Sequence, residues 1–255
     1  MIKKALVFLG LVLILSSCAS NKKIIYLNEA AAGTTSSLVE YQNKLQPDDN
    51  LIITVTADEP TLAAPFNLMY VNSQTSQLTN INSSDALTSY LIDQNGEIDF
   101  AGIGKVKLSG LTRIEAENKI KELVSREIVD PVINLRLINF KVSVMGEVLR
   151  PGTIRIVGDR VTILEALSLA GDMTIYGKRE DIMVIREANG AKTVNYVDIT
   201  DKDIINSPFY YLDQNDLIYV KPNKTRVNSS VIGPNLTVGI SALSLVVTII
   251  ALSLR

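Results

Sequence analysis

Residues 236–254 run for 19 positions without a charge before the terminal Arg255, and no other feature restricts the architecture of this chain as strongly. At about 1.5 Å rise per residue a helix of that length covers roughly 28 Å, close to the hydrocarbon thickness of a bilayer, so one membrane-crossing helix is expected there. Gly233-Pro234 ahead of it suits a helix start, where the missing N–H of proline costs nothing. Arg255 complements the negative helix end. Thr237, Ser241, Ser244 and Thr248 are spaced by four, three and four, which puts them on one face while Leu, Val and Ile fill the rest. Such a stripe suits a water-filled lumen in a ring of copies. It suits equally a small-residue seam along which helices approach closely, and the spacing alone does not choose.

The other apolar run lies at the opposite end. Lys3-Lys4, the apolar stretch from Ala5 to Leu15 and then Ser16-Ser17 have the layout of a secretory signal peptide over residues 1–17. That stretch is too short to span a bilayer. Leu15-Ser16-Ser17-Cys18 also resembles the bacterial lipobox, in which the cysteine is lipidated after cleavage. Cys18 is the single cysteine of the 255 residues, so it is expected to be a lipid anchor, held by about 0.8 kcal/mol per buried methylene. Ala19, rather than an aspartate, follows it, which favours the outer membrane over retention in the inner one.

Composition removes most chemistry. There is no histidine, which excludes Ser-His-Asp and Cys-His catalysis and histidine-rich metal sites. A lone cysteine forms neither an internal disulfide nor a thiolate cage. The net charge of -2 lacks the basic footprint that a nucleic-acid partner requires. The glycines of Gly102-Ile103-Gly104 lack the spacing of a phosphate loop. The pairs Asp48/Asp49, Asp201/Asp203 and Asp213/Asp216 resemble glycosidase carboxylates in type, but each sits in a turn next to a strand, where aspartate serves the backbone. Tyr210-Tyr211 suits sugar stacking or core packing at a strand entrance. The expectation is no enzyme, no cofactor and no metal.

Between the ends, residues 18–44 read as a tether in which Tyr26 docks locally. Leu51, Ile53 and Val55 alternate as a strand after the turn at Pro47-Asp48-Asp49-Asn50. Residues 60–86 are rich in Asn, Ser, Gln and Thr and read as a long loop. Asn95-Gly96 predicts a hairpin between short strands. Thr112 and Glu115 make a capping box that opens a helix with Ala116, Ile120, Leu123, Val124 and Ile128 on one face, stopped at Asp130-Pro131. A second capping box, Thr162 with Glu165, opens a helix ending at Gly171. Strands at 182–186, 193–197 and 217–220 follow, the first two joined at Asn189-Gly190. Strands and short helices without regular alternation imply small α+β domains.

The order of these segments resembles the bacterial polysaccharide export family, outer-membrane lipoproteins of capsule and exopolysaccharide secretion. The stretches that carry the resemblance begin with Gln46-Pro47-Asp48-Asp49-Asn50-Leu51-Ile52-Ile53, residues 90–104, Leu108-Ser109-Gly110-Leu111-Thr112 and Asp130-Pro131-Val132. Val142-Ser143-Val144-Met145-Gly146-Glu147-Val148 through Ala170-Gly171, and Leu212-Asp213-Gln214-Asn215-Asp216-Leu217, are similar to the family's soluble-ligand-binding β-grasp module. Two positions depart from the pattern: Asp48-Asp49 stands where members commonly have Gly-Asp, and Gly171-Asp172 where they have Gly-Gly. One such module is found, where larger members carry two.

The resemblance implies an export domain over residues 45–138, a β-grasp domain over 139–222, a linker over 223–235 and a C-terminal transmembrane helix over 236–254. It implies a homo-oligomeric ring whose helices form a pore through the outer membrane for a secreted polysaccharide, lined by Thr237, Ser241, Ser244 and Thr248. The partner it implies at the inner membrane is a polysaccharide co-polymerase, often with a tyrosine kinase. The alternative is a periplasmic ligand-binding or adaptor lipoprotein, anchored at both ends, that forms no conduit itself.

Overall fold

Alternation of apolar and polar side chains makes Asn50–Thr56 the first strand, β1, with Leu51, Ile53 and Val55 turned inward. The computed structural model describes residues 24–28, 41–68, 89–188, 190–231 and, within 239–249, residues 239, 241, 242, 244–246, 248 and 249. β1 is the centre of a three-stranded antiparallel sheet, flanked by β2 (Tyr90–Leu91) and by β5 (Val132–Leu137). The β1–β5 register runs from Leu51 opposite Leu137 to Thr56 opposite Val132. The hairpin β3 (Glu97–Phe100) and β4 (Gly104–Lys107) lies beside it. The capping box at Thr112 is formed, and helix α2 (Arg113–Val124) buries Ala116, Ile120 and Val124, four residues apart on one face. These elements share one apolar core.

Two local expectations are corrected here. The Asn95-Gly96 turn forms, with Gly96 at φ 81, but it does not join a hairpin of its own. β2 pairs with β1 and β3 pairs with β4, because Tyr90 completes the core beside Leu51 while the Asp93 carboxylate satisfies the turn by accepting from Asn95 and Glu97 N–H. The stretch after Thr56 is not all loop. Helix α1 (Pro60–Ala63) and the 3-10 turn Ala64–Phe66 bury Ala63 and Phe66. Asn67 then substitutes for a strand neighbour, accepting from Val55 N–H and donating to Val55 O, both at 2.9 Å.

A second core is built on a five-stranded sheet in the order β10-β9-β12-β6-β7. Its members are β6 (Lys141–Gly146), β7 (Gly152–Arg155), β9 (Gly177–Ala188), β10 (Ala191–Val197) and β12 (Leu217–Pro222). The first and last, β6 and β12, are parallel neighbours, with the antiparallel hairpin β9–β10 beyond β12 and β7 antiparallel to β6 at the other edge. Helix α3 (Ile163–Leu169), opened by the Thr162 capping box, lays Ile163, Ala166 and Leu167 into this core. A two-stranded ribbon joins β8 (Val161–Thr162) to β11 (Tyr211–Leu212).

The α+β body therefore stands, but the transmembrane helix expected over 236–254 does not. Among the described residues no helix is long and apolar enough to cross a membrane. The last bounded helix, α4 (Lys224–Val231), occupies part of the expected linker. Its eight residues, Lys-Thr-Arg-Val-Asn-Ser-Ser-Val, are mostly polar and reach roughly 12 Å, less than half a hydrocarbon core. The pore, the porin-like conduit and the C-terminal outer-membrane span lose the element on which all three depended. Residues 1–23, with the signal peptide and Cys18, lie outside the described residues, as does Thr237.

Candidate functional site

The two cores meet along a seam where side chains from distant parts of the sequence are brought together. Residues 41–46 run along it, tied to the first domain by Leu45 N–H to Leu111 O and Gly110 N–H to Leu45 O. Tyr41 reaches across. Its ring stacks on Tyr211 with centroids 4.9 Å apart and planes 18° from parallel, and its hydroxyl donates to Leu212 O at 2.9 Å and to Asp213 Oδ1. Tyr210 packs edge-on against Tyr211 at 5.2 Å, and the Arg160 guanidinium lies over the Tyr211 ring at 5.4 Å. Tyr211 is thus engaged by protein groups, as a clasp and not as a bare sugar platform.

Beneath the clasp, Arg186 at the end of β9 gathers both carboxylates of the Asp213/Asp216 turn. Its Nη1 lies 3.0 Å from Asp213 Oδ2 and its Nη2 2.7 Å from Asp216 Oδ2, while Nε also donates to Asp216. Asp216 is 0% exposed and accepts further from Asp213 N–H at 2.8 Å. Burial raises the Asp216 pKa and outweighs the lowering by Arg186. Burial works to lower that of Arg186, yet the bond and charge of Asp216 and the charge of Asp213 raise it. The Tyr41 hydroxyl is held neutral well above its ordinary range, by burial first and then by Asp213. Two carboxylates locked on one guanidinium form a structural ion pair, and such pairs are destabilising when one partner is removed.

The junction between domains is a short polar staple. Asn139 accepts from Asn50 N–H at 2.9 Å and donates to Asp48 O at 2.8 Å. Gln214 donates to Asn139 O at 2.9 Å and accepts from Lys141 N–H at 2.7 Å. Asp48 takes φ 69, a left-handed conformation that aspartate tolerates better than most residues, at the position where the resembling family has glycine. Asp172, the second such departure, has φ 71. Next to Asp48, Asp49 is buried. Burial pushes its carboxyl up to about 6 against the pull of the Gln46 N–H, and the charge of Asp48 adds to the rise.

Beside the staple opens a cleft of about 160 Å³, with Tyr41, Leu45, Arg113, Ile114, Leu137 and Arg160 among its walls. Arg113 on α2 crosses it to Asp159 at 3.0 Å. The cleft is apolar at its base and charged at its rim, suited to holding a segment or docking a partner rather than to bond chemistry. Among the described residues no cluster of three or more acidic, cysteine or histidine side chains is placed to hold a metal ion.

The residues singled out in the sequence fare unevenly. Asp201 serves its turn, accepting from Asp203 N–H at 2.9 Å. Tyr26, expected to dock locally, instead packs on the second core, its hydroxyl bonded to Asp172 and its neighbour Leu27 donating to Ile199 O. Ser241, Ser244 and Thr248 are exposed; the hydroxyls of Ser244 and Thr248 donate to carbonyls one turn earlier, Ser241 O and Ser244 O, each at 2.8 Å. Tyr41, Arg186 and Asn139 were not legible as site residues. The one available signal was the close pairing of Asp213 and Asp216, which calls for a cation from elsewhere in the chain.

Comparison with known proteins agrees with this architecture. Residues 37–138 match the family described as polysaccharide biosynthesis/export protein. The chain is 28% identical over 141 residues to the EPS I polysaccharide export outer membrane protein EpsA of Ralstonia nicotianae, covering 54% of this chain and 37% of that one. It is 25% identical over 193 residues to the protein of the same name from Ralstonia solanacearum, covering 73% and 50%. The chain spans half or less of the length of these curated relatives. Residues 37–138 are thus similar to the export domain of that family, and the chain as a whole resembles bacterial polysaccharide export proteins.

Proposed function

We propose that this protein serves polysaccharide export as a periplasmic adaptor or ligand-binding lipoprotein, without forming the conduit itself and without covalent chemistry. The observation that carries this reading is the clasp: Tyr41, inside the segment that matches the export family, is bolted to Tyr211 and Asp213 of the β-grasp domain. A coupled pair of modules transmits position from one binding surface to another. Cys18 would hold the chain to the inner leaflet of the outer membrane. Its partners would be the secreted polysaccharide, further copies of the chain and an inner-membrane co-polymerase or tyrosine kinase.

Deleting the gene should abolish secreted polysaccharide, and purified full-length chain in vesicles should leave entrapped dextran inside. Release of dextran by the chain alone, or undiminished secretion without it, overturns the reading. Cys18→Ala should lose incorporated palmitate; label retained by that variant would place the lipid elsewhere.

A further inference from the structure

The junction between the two domains encloses an acid that neither the clasp nor the cleft uses. Asp49, on the turn that leads into β1, is 1% exposed. Its Oδ2 accepts from Gln46 N–H at 2.9 Å. Its Oδ1 is buried and has no hydrogen-bond partner among the described residues. The charge that acts on the carboxyl, that of Asp48, has its own sign. A buried carboxylate with one oxygen unbonded and a like charge beside it is costly, whereas the neutral acid has no charge to desolvate.

The cover over this acid comes from both domains. Asn139 holds the backbone on either side of Asp49, donating to Asp48 O at 2.8 Å and accepting from Asn50 N–H at 2.9 Å. Gln214, 4% exposed, ties Asn139 O to Lys141 N–H at 2.9 and 2.7 Å. It also faces the Asp49 carboxyl, pulling its pKa down less than the Gln46 N–H does. The ionisable groups on the elements packed here are engaged elsewhere. Asp48 accepts from Gln94 at 3.2 Å, and Asp93 accepts from N–H groups of its own turn. Asp213 and Asp216 are locked on Arg186, and Lys141 is exposed. Parting the domains at Asn139 and Gln214 would let water reach the carboxyl and relieve the cost of ionising it.

We propose that Asp49 is a proton-operated latch on the domain junction: as the neutral acid it lets Asn139 and Gln214 close over it, and as the carboxylate it loosens them while both cores stay folded. The direction follows from linkage. The closed carboxyl is pushed up to about 6, while a hydrated one titrates near 3.9, so the closed junction binds more protons between these values. Closure is favoured most below about pH 4 and weakens as pH rises through about 6. Across that window the ratio of closed to open junction falls on the order of 100-fold. Acid thus stiffens the connection through which one module moves the other.

The experiment is native-state hydrogen exchange on the full chain in detergent between about pH 4 and 7, corrected for intrinsic exchange. The Asn50 and Lys141 amides should exchange through an opening easier than that of amides inside β9 and β12. In wild type this opening should become about tenfold or more easier from the acid to the neutral end. In Asp49→Asn it should keep one value throughout; Asp216 titrates in both proteins and drops out of the comparison. Carboxyl-carbon NMR of the wild type should place the Asp49 midpoint at about 6. If Asp49→Asn does not fold, this midpoint and the wild-type exchange profile decide the matter. A midpoint near 4, a junction opening indifferent to pH in wild type, the same pH dependence in Asp49→Asn, or junction amides that exchange only together with the cores each overturns the latch. No polysaccharide enters these measurements, so their outcome is independent of the export reading.

Discussion

Asp49 illustrates how a residue read as turn chemistry becomes an energetic switch once its surroundings are in place. A carboxyl pushed up to about 6 by burial holds its proton in the folded state at pH values where the unfolded chain, with a pKa near 3.9, has released it. The folded state therefore binds more protons between these values, and stability from this group is greatest below about pH 4 and falls as pH rises through about 6. Wild type and Asp49→Asn should diverge by on the order of 2–3 kcal/mol in urea unfolding across that window, the variant being the flatter. Parallel pH profiles for the two proteins would show that Asp49 is not desolvated in solution. Asp216 is also raised by burial, but it is present in both proteins and drops out of the comparison.

At the scale of elements, two glycines with similar backbone angles should respond very differently to the same change. Gly146 ends β6 at φ 89, and a Cβ there would stand 2.1 Å from Val220 O on the parallel neighbour β12. Gly104, at φ 93 in the β3–β4 hairpin, has nothing within 4 Å of that position. Gly104→Ala should cost only the left-handed strain, about 1 kcal/mol. Gly146→Ala adds a backbone clash inside the five-stranded sheet and should cost roughly 3 kcal/mol or more. Equal thermal midpoints for the two variants would mean that β6 and β12 do not pack closely at Gly146. The capping boxes at Thr112 and Thr162 belong to the same scale. They were readable because each motif closes within four residues, and both are formed.

For the whole molecule, the question is whether the two cores unfold together. Among the described residues the contacts across the seam include the Tyr41–Tyr211 stack, the Tyr41 hydroxyl on Leu212 and Asp213, the Asn139–Gln214 staple, Leu137 packed against both cores and the exposed Arg113–Asp159 pair. A surface pair of the last kind is worth little, and Tyr41 contributes a stack and two hydrogen bonds to the coupling. Tyr41→Ala should remove about 2 kcal/mol of stack and packing and split hydrogen exchange into two classes, with amides of β1 and of β6 opening at different free energies. Tyr41→Phe, which keeps the stack, should lose about 1 kcal/mol and stay cooperative. A single exchange class in the alanine variant would assign the coupling to the staple instead.

The sequence by itself determined the α+β body, its capped helices, the inward faces of β1 and α2 and the export-family order of segments, because each depends on neighbours within a few residues. Periodicity, caps and turn chemistry act at that range. Only the tertiary structure decided that β2 pairs with β1 and not across Asn95-Gly96, that Arg186 gathers Asp213 and Asp216, and that Tyr41 crosses from the expected tether to the second domain. These are long-range choices, set by which surface buries most and which charge finds a partner. The charge-free run at 236–254 misled for a related reason. Hydropathy states that nothing in a segment forbids burial in hydrocarbon, whereas a span also needs a helix of sufficient length, and among the described residues there is none.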